Sequence, residues 1–96
     1  MKATLGEAIP EAKRQPAVYV LLGFDGTYLY KGSCRDLQER LKDHQAGRAS
    51  RTKNRRPLSL VYLEYVATYS EALTRERFLK TGKGRVWLHE QTRAAP

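Results

Sequence analysis

A chain of 96 residues holds one compact domain with a modest core and no room for a second. Its 18 Lys+Arg against 10 Asp+Glu leave a net charge of +8, which points to a polyanionic partner. The single cysteine, Cys34, excludes an intrachain disulfide and a Cys-rich zinc site and fits a reducing cytoplasm, and no apolar run approaches the ~20 residues of a membrane span or resembles a secretory leader.

Residues 1–15, with Pro10 inside and Pro16 just beyond, read as an arm leading into a domain over 16–92, and 93–96 read as a tail. Ala17-Val18-Tyr19-Val20-Leu21-Leu22 is β-rich and apolar on both faces, the pattern of a strand covered on two sides. Gly23-Phe24-Asp25-Gly26 supplies turn chemistry, and residues 27–31 read as the returning strand of a hairpin ended by Gly32. If the loop holds an even number of residues, Tyr19 faces Tyr30 or its near neighbour, and both phenols share a face.

Ser33 and Asp36 resemble a capping box for a helix running to about Gln45 and stopped by Gly47. Leu37 and Leu41 mark its buried stripe; on a helical projection His44 falls beside Leu37, and Arg40 lies at the edge of the same arc. Residues 47–57 carry five cations, Arg48, Arg51, Lys53, Arg55 and Arg56, and no acid, as a solvated connection or a phosphate-binding loop would. Residues 58–66 return as a strand, with Leu60 and Tyr62 on one face and Val61 and Leu63 on the other. Thr68 and Glu71 signal a second capped helix through Lys80, broken by Thr81-Gly82-Lys83-Gly84-Arg85, before a short final helix over residues 86–92. On the second helix Glu76 projects into the arc of Ala72, Leu73 and Leu79, where an unpaired carboxylate costs several kcal/mol. It must be paired, protonated or bound to a cation.

Taken singly, these residues have plain structural roles. The tyrosines suit strand packing, Arg40 can pair with Asp36 and Glu76 with Lys80, each at i,i+4 spacing. Taken together and in order, Ala17-Val18-Tyr19, then Tyr30-Lys31-Gly32, then Arg40 and His44, then Glu76, they resemble the GIY-YIG nucleases over roughly residues 16–88. Ala17 replaces the first motif's glycine and Lys31 an apolar residue of the second, and Leu88 holds the register where many relatives carry asparagine.

The resemblance implies a small α/β (α+β) domain, a three-stranded and mainly antiparallel sheet flanked by helices in β-β-α-β-α-(α) order. It further implies a metal-dependent endonuclease in which Glu76 is the sole protein carboxylate on one Mg2+ or Mn2+ ion. Tyr19 or His44 takes the proton of the attacking water, Tyr30 positions water or phosphate, and Arg40 offsets charge on the phosphoryl oxygens. Which of Tyr19 and His44 acts first stays open, since a phenol near pKa 10 needs a depressed pKa or a relay to serve as a base. Lys31, the basic loop, and Lys80, Lys83 and Arg85 are the expected phosphate contacts. The implied substrate is nucleic acid, DNA before RNA, single-stranded or structured, in the cytoplasm and away from membranes. Recognition would be left to a second copy of the chain or to a partner protein. The alternative is a nucleic-acid-binding module that keeps the fold without turnover.

Overall fold

The computed structural model describes residues 2–92; the expected tail at 93–96 lies outside them. Strand β2 (Ala17–Leu22) is the centre of the domain, because its alternate side chains are apolar on both faces and each face has a helical layer to bury against. Ala17, Tyr19 and Leu21 enter a core with Leu37, Leu41, Leu58 and Leu60. Val18 and Val20 enter another with Val61, Leu79 and Leu88.

Around β2 lie β3 (Leu29–Cys34) and β4 (Ser59–Tyr65), both antiparallel to it, and the two-residue β1 (Ala3–Thr4) beyond β4. The sheet order β1-β4-β2-β3 leaves β3 as an edge. Helices α1 (Leu5–Ala8) and α2 (Leu37–Ala46) cover the Tyr19 face, while α3 (Tyr69–Leu79) and α4 (Gly82–Thr92) cover the Val18 face. The architecture is the expected α/β one with a fourth strand. That strand comes from the N-terminal segment, whose Leu5 is buried among Ala17, Leu37 and Leu58 and whose Thr4 closes a capping box with Glu7. Among the described residues, no helix is long and apolar enough to cross a membrane.

Four local expectations are corrected. Gly32 does not end the second strand: β3 runs on through Ser33 to Cys34, with Gly32 buried opposite Tyr19. Ser33 is therefore a strand residue, and Asp36 caps α2 by accepting from the Glu39 amide at 3.2 Å. On β4 the expected alternation fails because the β2–β4 register shifts between Val20 and Leu21, leaving Val61 as an extra residue. Val61 and Tyr62 consequently share the α3–α4 face, while Leu60 and Leu63 face α2. Lastly, α4 begins at Gly82 rather than after Arg85. Gly84 is not a breaker but a crossing point, since a Cβ there would overlap the Phe78 carbonyl and stand 2.8 Å from Leu79 Cα.

That crossing sets the angle between α3 and α4, and with it the depth of Leu88. Gly84→Ala should lower stability by about 3 kcal/mol or more in denaturant unfolding, whereas Gly82→Ala, with nothing within 4 Å of its Cβ, should be neutral or slightly stabilising. Equal midpoints for the two variants would remove the close crossing as a constraint.

Candidate active site on the β3 edge

The β2–β3 hairpin connects Leu22 to Leu29 through residues 23–28, an even loop with Gly26 at φ 79°, and so keeps the two tyrosines on one face. The pairs are Tyr19↔Gly32 and Leu21↔Tyr30, which makes the phenols diagonal neighbours with ring centroids 6.2 Å apart. Gly32 is the socket between them: a Cβ at this position would lie 2.6 Å from the Tyr19 Cζ and hydroxyl and 2.8 Å from Tyr30 Cε2. Ala17 takes its glycine's place without difficulty, because it sits in ordinary paired strand.

His44 enters from the last turn of α2, fully buried, with its ring 5.5 Å from Tyr19 and 5.2 Å from Tyr30. Its Nε2 lies 2.8 Å from the Tyr19 hydroxyl and its Nδ1 lies 2.7 Å from Thr52 Oγ1. Nδ1–H can donate to the Thr52 oxygen, whose own hydroxyl proton has the Ala49 carbonyl 3.5 Å away as its further partner. In that tautomer Nε2 is the acceptor and the Tyr19 hydroxyl the donor. Burial, aided by the Arg40 charge, pushes His44 down to about pKa 4. Burial likewise pushes the Tyr19 phenol up, Tyr30 adding and Arg40 partly offsetting. Both groups are neutral at pH 7.

Arg40 lies one turn before His44, half-buried beside the phenols. Burial alone would lower its pKa, but the Tyr19 and Tyr30 oxygens override that and hold it up. Its ion pair is with Asp43 Oδ2 at 3.7 Å and not with Asp36, whose carboxylate instead holds Arg14 Nε at 2.7 Å. Tyr19, Tyr30, Arg40 and His44 thus form one cluster on the α2 face.

Glu76 reaches the same strand from the other side. Its Oε1 accepts from Ser33 Oγ at 2.6 Å and its Oε2 from Lys80 Nζ at 2.6 Å. Ser33 and Lys31 alternate with Tyr30 and Gly32 and stand on the α3–α4 face. Lys31 there is depressed in pKa by burial and then by the Arg85 and Lys80 charges, so three of the expected phosphate contacts share this side of the strand, Lys80 on Glu76 itself. The phenol cluster and the carboxylate are therefore split across β3, the edge strand of the sheet.

The basic loop is less uniform than its composition. Arg48 Nε holds Asp43 Oδ1 at 2.9 Å; Arg56 donates to the Lys53 and Gln45 carbonyls at 2.9 and 3.2 Å and fills the space above Gly47. Arg51, Lys53 and Arg55 are exposed, as are Lys83 and Arg85 of α4. Two functional positions escaped sequence reasoning. Thr52 lies eight residues past its partner His44 in a loop with no periodicity, and Ser33 was hidden by the apparent strand end at Gly32.

Among the described residues no cluster of three or more His, Cys, Asp or Glu can hold a metal ion, so a closed protein cage is ruled out there. One carboxylate with a hydroxyl beside it, completed by water and phosphate oxygens, still suits a hard cation such as Mg2+, which keeps several of its waters.

A profile of the GIY-YIG catalytic domain matches residues 15–88. The UPF0213 proteins of Staphylococcus aureus strains Mu3, Mu50 and N315 are each 45% identical over 65 residues, a stretch covering 67% of this chain and 78% of theirs. No solved structure matches.

The buried neutral histidine has a consequence for stability. The folded pKa near 4 lies below the ordinary 6.5, so the stabilisation is complete above about pH 6.5 and drains away as pH falls toward 4, where the unfolded chain alone gains the proton. Thermal unfolding should show a falling Tm between pH 6.5 and 4.5, above the main carboxylate range, and His44→Gln should flatten it. An unchanged slope in that variant would mean that His44 titrates normally.

Proposed function

Since the chain belongs to the GIY-YIG family, we propose that it is an endonuclease that hydrolyses phosphodiester bonds, in DNA before RNA, with one divalent metal ion held by Glu76. Residues 16–92 form the nuclease unit, with 1–15 as its N-terminal arm, and a partner or a second copy supplies target recognition. The observation that carries the reading is the Tyr19–His44–Thr52 chain, which orients a proton path inside a core that packing alone would fill with apolar side chains.

A phenol with a raised pKa is a poor phenolate but a good relay. Tyr19 is enclosed, so substrate must first open a path to its hydroxyl, which then accepts the proton of the attacking water on its oxygen lone pair while passing its own to His44 Nε2, so that neither a phenolate nor a free hydroxide accumulates. Thr52 receives Nδ1–H and keeps the imidazole in the accepting tautomer. The imidazolium formed would be costly beside Arg40, and the phosphate brought by substrate offsets both cations. Tyr30, less buried, positions the phosphate or the water, and Arg40 counters the charge that grows on the phosphoryl oxygens. The Mg2+ or Mn2+ ion, when bound, polarises the phosphorus and stabilises the leaving oxyanion. Lys80 holds the Glu76 carboxylate in its absence and shifts to phosphate as the cation arrives.

The pairing of Glu76 with Ser33 and Lys80 also favours a second reading, a binding module in which that carboxylate is structural glue. Cleavage of labelled single-stranded, duplex and branched DNA with Mg2+, Mn2+ or EDTA separates the two. The nuclease reading expects metal-dependent products, lost by 10²-fold or more in Glu76→Ala and Tyr19→Phe while binding persists, a size in keeping with removal of one preorganised group. Binding without product on any substrate would sink it.

Binding itself should weaken with salt. On duplex DNA, Arg51→Gln should make the slope of log K against log salt shallower by about 0.9, and Arg48→Gln, whose charge already faces Asp43, by less. Equal changes would mean that the Arg48–Asp43 pair opens on binding.

A further inference from the structure

Two arginines on this molecule place their guanidinium carbons over tyrosine rings without serving the core, and both are at the ends of the edge strand that carries the site. At the start of β3 the Arg55 guanidinium sits 4.5 Å over the ring of Tyr28, whose hydroxyl donates to the Arg51 carbonyl at 3.2 Å. Just past its end, the Arg35 guanidinium sits 4.1 Å over the ring of Tyr69, the first residue of α3. Both arginines are exposed, and among the described residues neither makes an ion pair. Asp25, whose carboxylate feels the Arg55 charge, is already occupied by the Thr27 amide and hydroxyl at 3.1 and 2.9 Å.

The contrast with Arg75 sharpens the point. That guanidinium lies over Phe78 and Trp87, but it also grips Glu64 at 2.9 Å and ties β4 to the α3–α4 layer. Its planar face and its charge both have internal partners. Arg35 and Arg55 each have an aromatic ring beneath the guanidinium carbon and are otherwise exposed, without an ion pair among the described residues.

We infer that Arg55 on Tyr28 and Arg35 on Tyr69 are stacking plates for unpaired nucleobases on either side of the scissile phosphate, and that the β3 edge takes a single-stranded or splayed segment. The reading rests on nucleic acid being the substrate. A guanidinium held flat by a ring offers its open face to a base, and only a base freed from its own stack can use that face. Within a duplex both faces of each base are already covered, and the same arginines could meet only phosphate. From residue 28 to residue 35 the strand spans about 23 Å, with Tyr30, Ser33 and the Glu76 carboxylate between. Tyr28 stands on the Tyr30 face of the strand and is joined to the basic loop, which Thr52 in turn anchors to His44. One plate is thus built on the same frame as the proton relay. Phe24, 62% exposed and bonded through its amide to the Arg55 carbonyl at 2.9 Å, adds an apolar neighbour at the hairpin tip.

The test is equilibrium binding in EDTA, where cutting plays no part, by anisotropy of a short labelled oligothymidine, an oligouridine and a duplex of equal length. Arg55→Lys and Arg35→Lys keep the charge and remove the plane. Each should weaken binding of one or both single strands by about fivefold or more and change duplex binding by less than about twofold. Tyr28→Leu, which withdraws the backing from Arg55, should mirror Arg55→Lys, and 2-aminopurine within the strand should lose its stacking-induced quenching in the same variants. Equal losses on single strand and duplex, or no loss on either, would overturn the plates. Stacking without metal-dependent cleavage would instead sink the nuclease reading and leave the plates standing, and cleavage with unaltered binding in the lysine variants would do the reverse.

Discussion

A tyrosine hydroxyl buried against a histidine organises this domain. Tyr19 is fully enclosed on the central strand, and the only way to enclose a phenol without orphaning its hydroxyl is to give it a partner in the core. His44 is that partner, and being buried itself it needs a second, found in Thr52. The chain binds three elements that share no local pattern: β2, the end of α2, and the loop before β4. Gly32 completes it from β3 by leaving the space that the phenol fills. No buried side-chain nitrogen or oxygen lacks a partner among the described residues, so the polar core is closed and carries little slack.

The edge position of β3 divides the chemistry. Alternation sends Tyr30 and Gly32 to one face and Lys31 and Ser33 to the other, so a six-residue strand has the phenol cluster on one side and the Glu76 carboxylate on the other. In the middle of a sheet those two halves would be walled off from each other. At a free rim they lie on either side of one unpaired strand edge. The same openness leaves room for the arginine plates at both ends of the strand. An edge strand normally invites pairing with another chain; here Lys31 and the neighbouring Lys80 and Arg85 make the α3–α4 side of that rim strongly positive, which discourages a second β strand and suits a polyanion.

Lys80 and Glu76 show that a plain helix-surface ion pair can occupy the position of the proposed metal ligand. Spaced i,i+4 on α3, they form the pair that local rules expect, with the half-buried carboxylate neutralised at little cost. Ser33 and Lys80 together aim the carboxylate at the strand, the orientation that the proposed metal ligand requires.

Periodicity alone made the central strand, the two capped helices and the inward placement of His44 and Glu76 legible, because apolar spacing reports which face of an element is buried whatever lies across from it. Parity of the hairpin loop put both phenols on one face for the same reason. What it could not report were events that depend on a distant neighbour. Gly32 read as a strand end because glycine weakens strands, yet it is required there by a ring arriving from β2. The bulge at Val61 arose from matching β4 to β2 and turned Tyr62 to the other face. Gly84 looked like a breaker and proved to be the point where α4 crosses α3. Asp36 turned away from Arg40 because Arg14, 22 residues earlier, was brought closer by the fold. By itself, then, the sequence determined the main strands and helices of residues 16–92, the buried faces of β2, α2 and α3, and the residues able to do chemistry. Only the tertiary structure decided that these residues stand on opposite faces of one edge strand, with Thr52 setting the tautomer of His44, because those relations are made by side chains meeting across elements rather than along them.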